Sequence, residues 1–484
     1  MDEQMKVLFL AVEAAPFNKV GGLADFVAAL PAALRKAGVD ARVMIPRYGS
    51  MRGEDYELHK VGGTIPVPVG ADQEPVHLLQ ATTDDVPVYF IWSDQYFSNR
   101  EKVYGFNDDP QRFVFFSRAA IAALPVLDWR PDVIHANDWH VAPVAAWLDV
   151  YGRTDDFYND IATVFTIHNA TYQGVCGRLI LSFGNMPKLP HLSVELPGQV
   201  NWLAQGLAHA DVVSTVSATY AQTLLRGELE PTLQPLFQQR HDRLFGILGG
   251  IDYDRWDPAR DAVLVQTYNV DSLKMRAVNK AAFQRELRLP IEADVPLLGL
   301  VVQLDNEREW EMTASAVEFL VQQENVQVVL LGIHDGLREE VFRDLQGRFP
   351  GNVRGLARFD DRVERRLYSS LDMFVSTGYF EPNNISLMTA MRYGAVPVVR
   401  APGAIADTVV DADAKPQQAT GFAFQECGED ALVTALRRGL AAYADKARWN
   451  VLQRRAMERD FSWSASAQAY LDVYRRAAAL HGAS

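Results

Sequence analysis

Apolar and polar positions along the chain fall into repeating strand and helix patterns. Residues 7–12 form a short apolar, partly β-branched run, too brief for a helix, which predicts a buried parallel strand. A loop containing Pro16, Gly21 and Gly22 follows. Helical spacing then predicts a helix over 24–37, closed by Gly38 in the manner of a C-cap glycine. Residues 41–45 read as the next strand, so the first fifty residues predict a βαβ unit. The alternation continues with a strand at 88–91, a helix at 111–124, a strand ending at Val133-Ile134 and another strand at 163–167. Strands alternating with helices imply a parallel, doubly wound sheet.

A second series begins near Pro296. Strands are predicted at 297–302, 326–331, 373–375 and 395–399, with helices through Gln323, at 339–349 and at 385–393. Between the series, residues 249–258 are dense in turn formers and read as a hinge. Residues 464–479 predict a last helix. The expectation is an α/β chain of two Rossmann-like doubly wound parallel-sheet domains facing a deep cleft, where ligands of such sheets bind.

Composition narrows the partners. At 484 residues the chain exceeds one typical domain, so two or more cores are expected. Its net charge of −14 argues against nucleic acid or an anionic membrane as the main partner. Cys176 and Cys427 make neither a metal-spaced pair nor a disulfide framework. The start has no basic n-region, and no apolar run approaches the roughly 20 residues of a membrane span. A soluble, cytoplasmic protein is expected.

Candidate chemistry clusters at the ends of predicted strands. Glycines in Lys19-Val20-Gly21-Gly22 would let backbone amides and a helix N-terminus face an anionic ligand, with Lys19 adding a full charge. This is neither a Walker A nor a dinucleotide loop, and alone it also reads as a structural turn. His135-Ala136-Asn137-Asp138-Trp139-His140 follows a strand, and its polar groups beside Trp139 fit sugar recognition with the ring stacked on a pyranose. A metal site on His135 and His140 lacks acidic or thiol partners nearby. His168 in Thr166-Ile167-His168-Asn169-Ala170-Thr171-Tyr172-Gln173-Gly174 sits at the same place after the next strand, and reads equally as a structural residue. Glu381 in Phe380-Glu381-Pro382-Asn383-Asn384-Ile385-Ser386 could accept hydroxyl groups of a ribose or hexose, with Asn or Ser capping the helix behind it.

Taken in order, these segments resemble the bacterial glycogen synthases and plant starch synthases that use ADP-glucose, nearly end to end. The matching blocks are 6–48, 135–140, 166–174, 201–220, 249–258, 359–400, and Asp460-Phe461-Ser462-Trp463 before the last helix. The resemblance implies a GT-B fold with an acceptor-side domain at 1–250, a donor-nucleotide domain at 251–460 and a tail at 461–484 that crosses back to the first. It implies retaining transfer of glucose from ADP-glucose to the non-reducing end of an α-1,4-glucan (glycogen or a maltooligosaccharide), with no metal or other cofactor. By matching position, Lys19, Asp138, His168, Glu381 and Arg308 would be catalytic. Gly21, Gly22, Gln303, Asn383, Asn384 and Ile385 would bind the donor, and Tyr96 and Trp139 the acceptor.

The departures from the family pattern concentrate in the donor half. Gln303 stands where the family has an arginine and Arg308 where it has a lysine, with Asp305, Glu307 and Glu309 close in sequence. Losing one charged donor to the leaving phosphate is expected to cost about 10²–10³ in rate, and the Arg308 fork is not equivalent to a lysine point charge. The family's glutamate-proline-cysteine-glycine becomes Glu381-Pro382-Asn383-Asn384, its threonine-glycine-glycine-leucine becomes Pro402-Gly403-Ala404-Ile405, and Gly249 replaces an asparagine. Two alternatives therefore stay open: a catalytically impaired glucan-binding or regulatory paralogue, and the same fold using another nucleotide sugar.

Overall fold

The computed structural model describes residues 4–51, 56–301, 307–332, 336–356, 360–377, 384–401 and 403–482. The chain forms two compact units, one of Met1–Gly249 with Trp463–Ser484, the other of Gly250–Ser462.

The first unit is built on strands β1 (Lys6–Leu10), β2 (Asp40–Pro46), β3 (His59–Val69), β4 (Asp72–Thr83), β5 (Val86–Trp92), β6 (Val133–Asn137) and β7 (Ala162–Ile167). A short antiparallel ribbon, β8 (Val175–Gly177) with β9 (Gln199–Asn201), precedes β10 (Val212–Thr215) and β11 (Leu244–Gly246). The sheet order is β11-β10-β7-β6-β1-β2-β5-β4-β3. Strands β1, β6 and β7 are buried nearly throughout, as strands sandwiched between helices must be. From β11 to β5 every pairing is parallel.

The remaining two strands add an antiparallel edge to the expected parallel sheet. β3 and β4 form a long antiparallel hairpin continuing from β5, turning at Gly70 with φ +57. Pro66, Pro68 and Pro75 lie inside it, with Pro66 paired to Pro75. Because β3 is the last strand of the sheet, its missing amides cost no further ladder.

β1 is hydrogen-bonded to both β2 and β6, so chain direction through the sheet order reverses there. The loops leaving β1 and β6 emerge side by side at this switch point, and the loop after β7 follows next to them. The helix Gly22–Lys36 begins at the end of the first loop and is terminated before Gly38, whose φ is +91.

The C-terminal helix Trp463–His481 belongs to this unit and packs along Gly22–Lys36. Phe26 meets Trp463 and Tyr470 edge-on, each at 5.8 Å. The Tyr474 hydroxyl is bonded to His135 Nδ1 at 2.8 Å, and His135 Nε2 to Thr166 Oγ1 at 2.5 Å. Burial holds His135 well below its ordinary pKa, so it joins this network as a neutral ring. At the helix end Asp211 holds His481 above the usual histidine range.

The second unit carries β12 (Leu297–Val301), β13 (Gln327–Leu331), β14 (Val353–Leu356), β15 (Met373–Ser376), β16 (Val396–Arg400) and β17 (Phe422–Phe424). They form one parallel sheet in the order β14-β13-β12-β15-β16-β17, with its switch point between β12 and β15. Leu298, Leu300, Val328, Leu330 and Val375 bury one face of the sheet, and Leu297, Val329, Leu331 and Phe374 the other.

Candidate active site

The Lys19-Val20-Gly21-Gly22 loop closes on its own chain. Glu13, 3% exposed, accepts the Val20 amide at 2.6 Å and the Gly21 amide at 3.1 Å on Oε2. Its Oε1 accepts the Tyr104 hydroxyl at 3.0 Å. This corrects the expectation that Gly21 offers its amide to a ligand. Among the described residues, the amides of Gly22 and Leu23 are the open donors of the first helical turn. Lys19 is half-exposed and bonds Asp25 Oδ1 at 2.7 Å, at the edge of that turn. Its ammonium is thus held beside an anion-attracting helix end.

Asp138 and His168 are brought together by the adjacent strands β6 and β7. Asp138 has φ +62 and ψ 174, a combination outside the left-handed helical region and almost confined to glycine, so its backbone is strained. Its Oδ1 accepts the His168 amide at 2.8 Å. Burial pushes its carboxyl up to about 7, against the lowering effect of the His168 and Asn169 amides, and the Glu13 charge adds to the rise.

His168 is buried, and burial lowers its ring to about 3, so it is neutral. Asn137 Nδ2 donates to the carbonyls of Leu10 and His135, which turns its Oδ1 toward His168 Nε2 at 3.0 Å. That network assigns the ring proton to Nε2 and leaves Nδ1 as a buried acceptor without a partner. A buried polar atom in that state calls for a donor from water or from a ligand. Phe26 packs edge-on to the ring at 4.7 Å and fixes its plane.

Other predicted residues land differently. Trp139 packs against the His140 ring, 4.2 Å away and nearly parallel, and against the backbone of Gly174. Through those contacts Trp139 braces the end of the 169–174 loop while its ring stays half-exposed. Tyr96 is 6% exposed and stacks on Phe115 at 4.0 Å, which makes it a packing residue beneath the surface. His135 serves the C-terminal helix, and His140 is buried among Tyr104, Phe113 and Trp139, with its ring lowered to about 3 by burial. Among the described residues, no group of three or more His, Cys, Asp or Glu side chains is disposed to hold a metal ion.

In the second unit, Gln303, Glu381 and Asn383 lie outside the described residues. Arg308 falls in the first turn of the helix Glu307–Gln323. Asn384 is described: it caps the helix Ile385–Arg392 with φ +47, and its buried Oδ1 has no partner. A left-handed residue explains the family's glycine here, and asparagine is among the few side chains that accept it. Gly403, with φ +54 and ψ −127, is likewise retained where only glycine fits, while Ala404 begins an ordinary helical turn. Ile385 is the first residue of its helix.

Sequence reasoning gave no role to Glu13 or Tyr104. The signal for Glu13 was present: a lone carboxylate in the apolar stretch Ala11-Val12-Glu13-Ala14-Ala15, directly after a buried strand, must find donors.

Residues 6–239 match the family model described as the starch synthase catalytic domain. The chain is 39% identical to a glycogen synthase of Syntrophotalea carbinolica, covering 99% of this chain and 100% of that one. It is 35% identical to a glycogen synthase of Thermotoga maritima, over 99% and 100%. Among solved structures it is similar to the catalytic domain of starch synthase IV from Arabidopsis thaliana bound to ADP and acarbose, with a TM-score of 0.87, 31% identity, and coverage of 98% and 100%.

Proposed function

The chain belongs to the glycogen and starch synthase family of glycosyltransferases, with the GT-B fold, and we propose that it transfers glucose from ADP-glucose to an α-1,4-glucan with retention. The observation that carries this reading is the buried, unpartnered Nδ1 of neutral His168 beside Asp138, an acceptor and a carboxyl group presented together at adjacent strand ends. In this reading both hold hydroxyls of the transferred glucose. Lys19 and the open amides of the first helical turn take diphosphate oxygens. By the family resemblance alone, Glu381 would serve the donor hydroxyls and Arg308 the diphosphate, with Gln303 in place of the family's arginine.

In the reaction, the bond from glucose C1 to the diphosphate oxygen breaks and a bond from C1 to the acceptor O4 forms on the same face. The O4 proton leaves with the diphosphate. The chain's part is to position the two substrates and to offset charge on the leaving group, and no resident metal or cofactor is required. Asn384 and Gly403 favour an active site over an impaired paralogue, because both adopt positive-φ backbone at positions where the family pattern has glycine. The partners are thus a nucleotide sugar and an α-glucan. The bacterial glycogen synthases among the relatives favour a cytoplasmic setting, and among the described residues no helix is long and apolar enough to cross a membrane.

The test is incubation of the full chain with ADP-glucose and maltoheptaose in EDTA, followed by mass spectrometry. The expected result is a ladder of products each one hexose longer. No ladder, or a ladder only with another nucleotide sugar or with added metal, would contradict the reading.

A further inference from the structure

The C-terminal helix reaches the site from behind. Along Trp463–His481, positions 463, 467, 470, 474 and 477 repeat in alternating steps of four and three, which lays them on one side of the helix. Ala467, Tyr470, Tyr474 and Ala477 on that side are buried. Strands β6, β7 and β10 carry polar side chains into the same interior: His135, Asn137, Thr166, His168 and Ser214 are all buried.

The helix pairs with some of these groups directly. Hydrogen bonds link the Tyr474 hydroxyl to His135 Nδ1 at 2.8 Å, His135 Nε2 to Thr166 Oγ1 at 2.5 Å, and Thr166 Oγ1 to Ser214 Oγ at 2.5 Å. The Ser214 and Thr166 hydroxyls meet the Tyr470 hydroxyl, so the path begins and ends on tyrosines one turn apart. Sliding the helix by a turn would leave these buried groups unpaired, which is costly, so it is held in one register along the strands.

Phe26 carries that register to the site. Its ring, 5% exposed, stands edge-on to Tyr470 and to Trp463 at 5.8 Å each and to the His168 ring at 4.7 Å. Asn137 holds His168 at Nε2 alone, and Asp138 holds only its backbone amide. One hydrogen bond at one nitrogen leaves the plane of the ring free to tilt, and the directional edge contact of Phe26 removes that freedom.

We propose that Tyr470 of the C-terminal helix is a positioning residue for His168, acting through Phe26. Being buried beneath Phe26, Tyr470 sets the ring without reaching substrate. The consequence for turnover rests on the function proposed above; the holding of the His168 ring does not.

Tyr470→Leu removes the ring behind Phe26, and Tyr470→Phe keeps it. Rates are measured at a temperature where thermal melts show each variant fully folded. Tyr470→Leu is expected to lower kcat by about 10- to 100-fold, the scale of a small misplacement at a reacting centre. KM for ADP-glucose and for maltoheptaose should stay within about threefold, and Tyr470→Phe should restore kcat to within about threefold of wild type. The ring ¹⁵N signals of His168, assigned by their loss in His168→Asn, supply a readout that needs no turnover. In wild type they should show one tautomer, with Nε2 protonated and Nδ1 bare. In Tyr470→Leu they should move toward each other, as a tilting ring leaves Asn137 and exchanges tautomers. If Tyr470→Leu does not fold, Phe26→Leu carries both readouts with the same expected result.

Unmoved ring signals, an unchanged kcat, or no rescue by phenylalanine would overturn the proposal. A wild-type chain that makes no glucan would contradict the proposed reaction, and the ring signals would still decide the role of Tyr470.

Discussion

Asp138→Asn is expected to lower turnover by about 10²–10³, the scale seen when one charged group at a reacting centre is lost. The substitution keeps an oxygen to accept the His168 amide but removes the carboxylate held near the transferred glucose. The same change should stabilise the folded chain in a pH-dependent way. Burial raises the Asp138 carboxyl from 3.8 to about 7, so between those values the folded chain keeps a proton that the unfolded chain has lost. Stability therefore falls as pH rises through that window, by up to about 1.4 kcal/mol per unit, and the penalty is complete above it. Asparagine carries no such proton and escapes the fall. Thermal melts from pH 4 to 8 should show the mutant gaining on wild type as pH increases, while wild-type activity climbs through about pH 7. Parallel melting profiles would contradict the placement of a buried carboxyl there.

Gly174→Ala is expected to be the most disruptive single methyl in the site. Gly174 has φ +63, and a Cβ on it would lie 2.1 Å from Cε3 of Trp139. Left-handed alanine costs about 1–2 kcal/mol, and forcing the ring aside adds about 1–3 kcal/mol of overpacking. The loop that carries His168 should shift with it. Urea unfolding followed by tryptophan fluorescence should show a loss of about 2–5 kcal/mol, the sum of those two costs, with weakened donor binding. A loss below about 1 kcal/mol, the size of an ordinary surface change, would mean the ring yields freely and does not brace the loop.

These two positions also show what the sequence could and could not disclose. β1, β6 and β7 were legible because strands covered on both faces are rich in apolar residues, and the residues following them fall at the sheet's switch point by topology alone. Asp138 and His168 were found that way. The β3–β4 hairpin was not read, because its prolines argue against a strand until it is known to lie at the sheet's edge. The packing of Trp139 against Gly174 was not legible either, because an aromatic beside polar groups suggests a sugar platform and carries no sign of the backbone that approaches its ring. Glu13 received no role from sequence, since its partners come from the loop after it and from Tyr104, far along the chain. The predicted donor contacts at Gln303, Glu381 and Asn383 lie outside the described residues. For Asn384 the structure supplies a reason that the bare departure lacked, a left-handed backbone that asparagine tolerates.

Retaining glucosyl transfer is tested most directly by the stereochemistry of the bond it makes. The chain is supplied with ADP-glucose labelled with ¹³C at C1 and with maltoheptaose, and the product is read by NMR. The account predicts label at the non-reducing end in an α-1,4 linkage, formed in EDTA. A β linkage, or label released as free glucose with maltoheptaose unchanged, would contradict it.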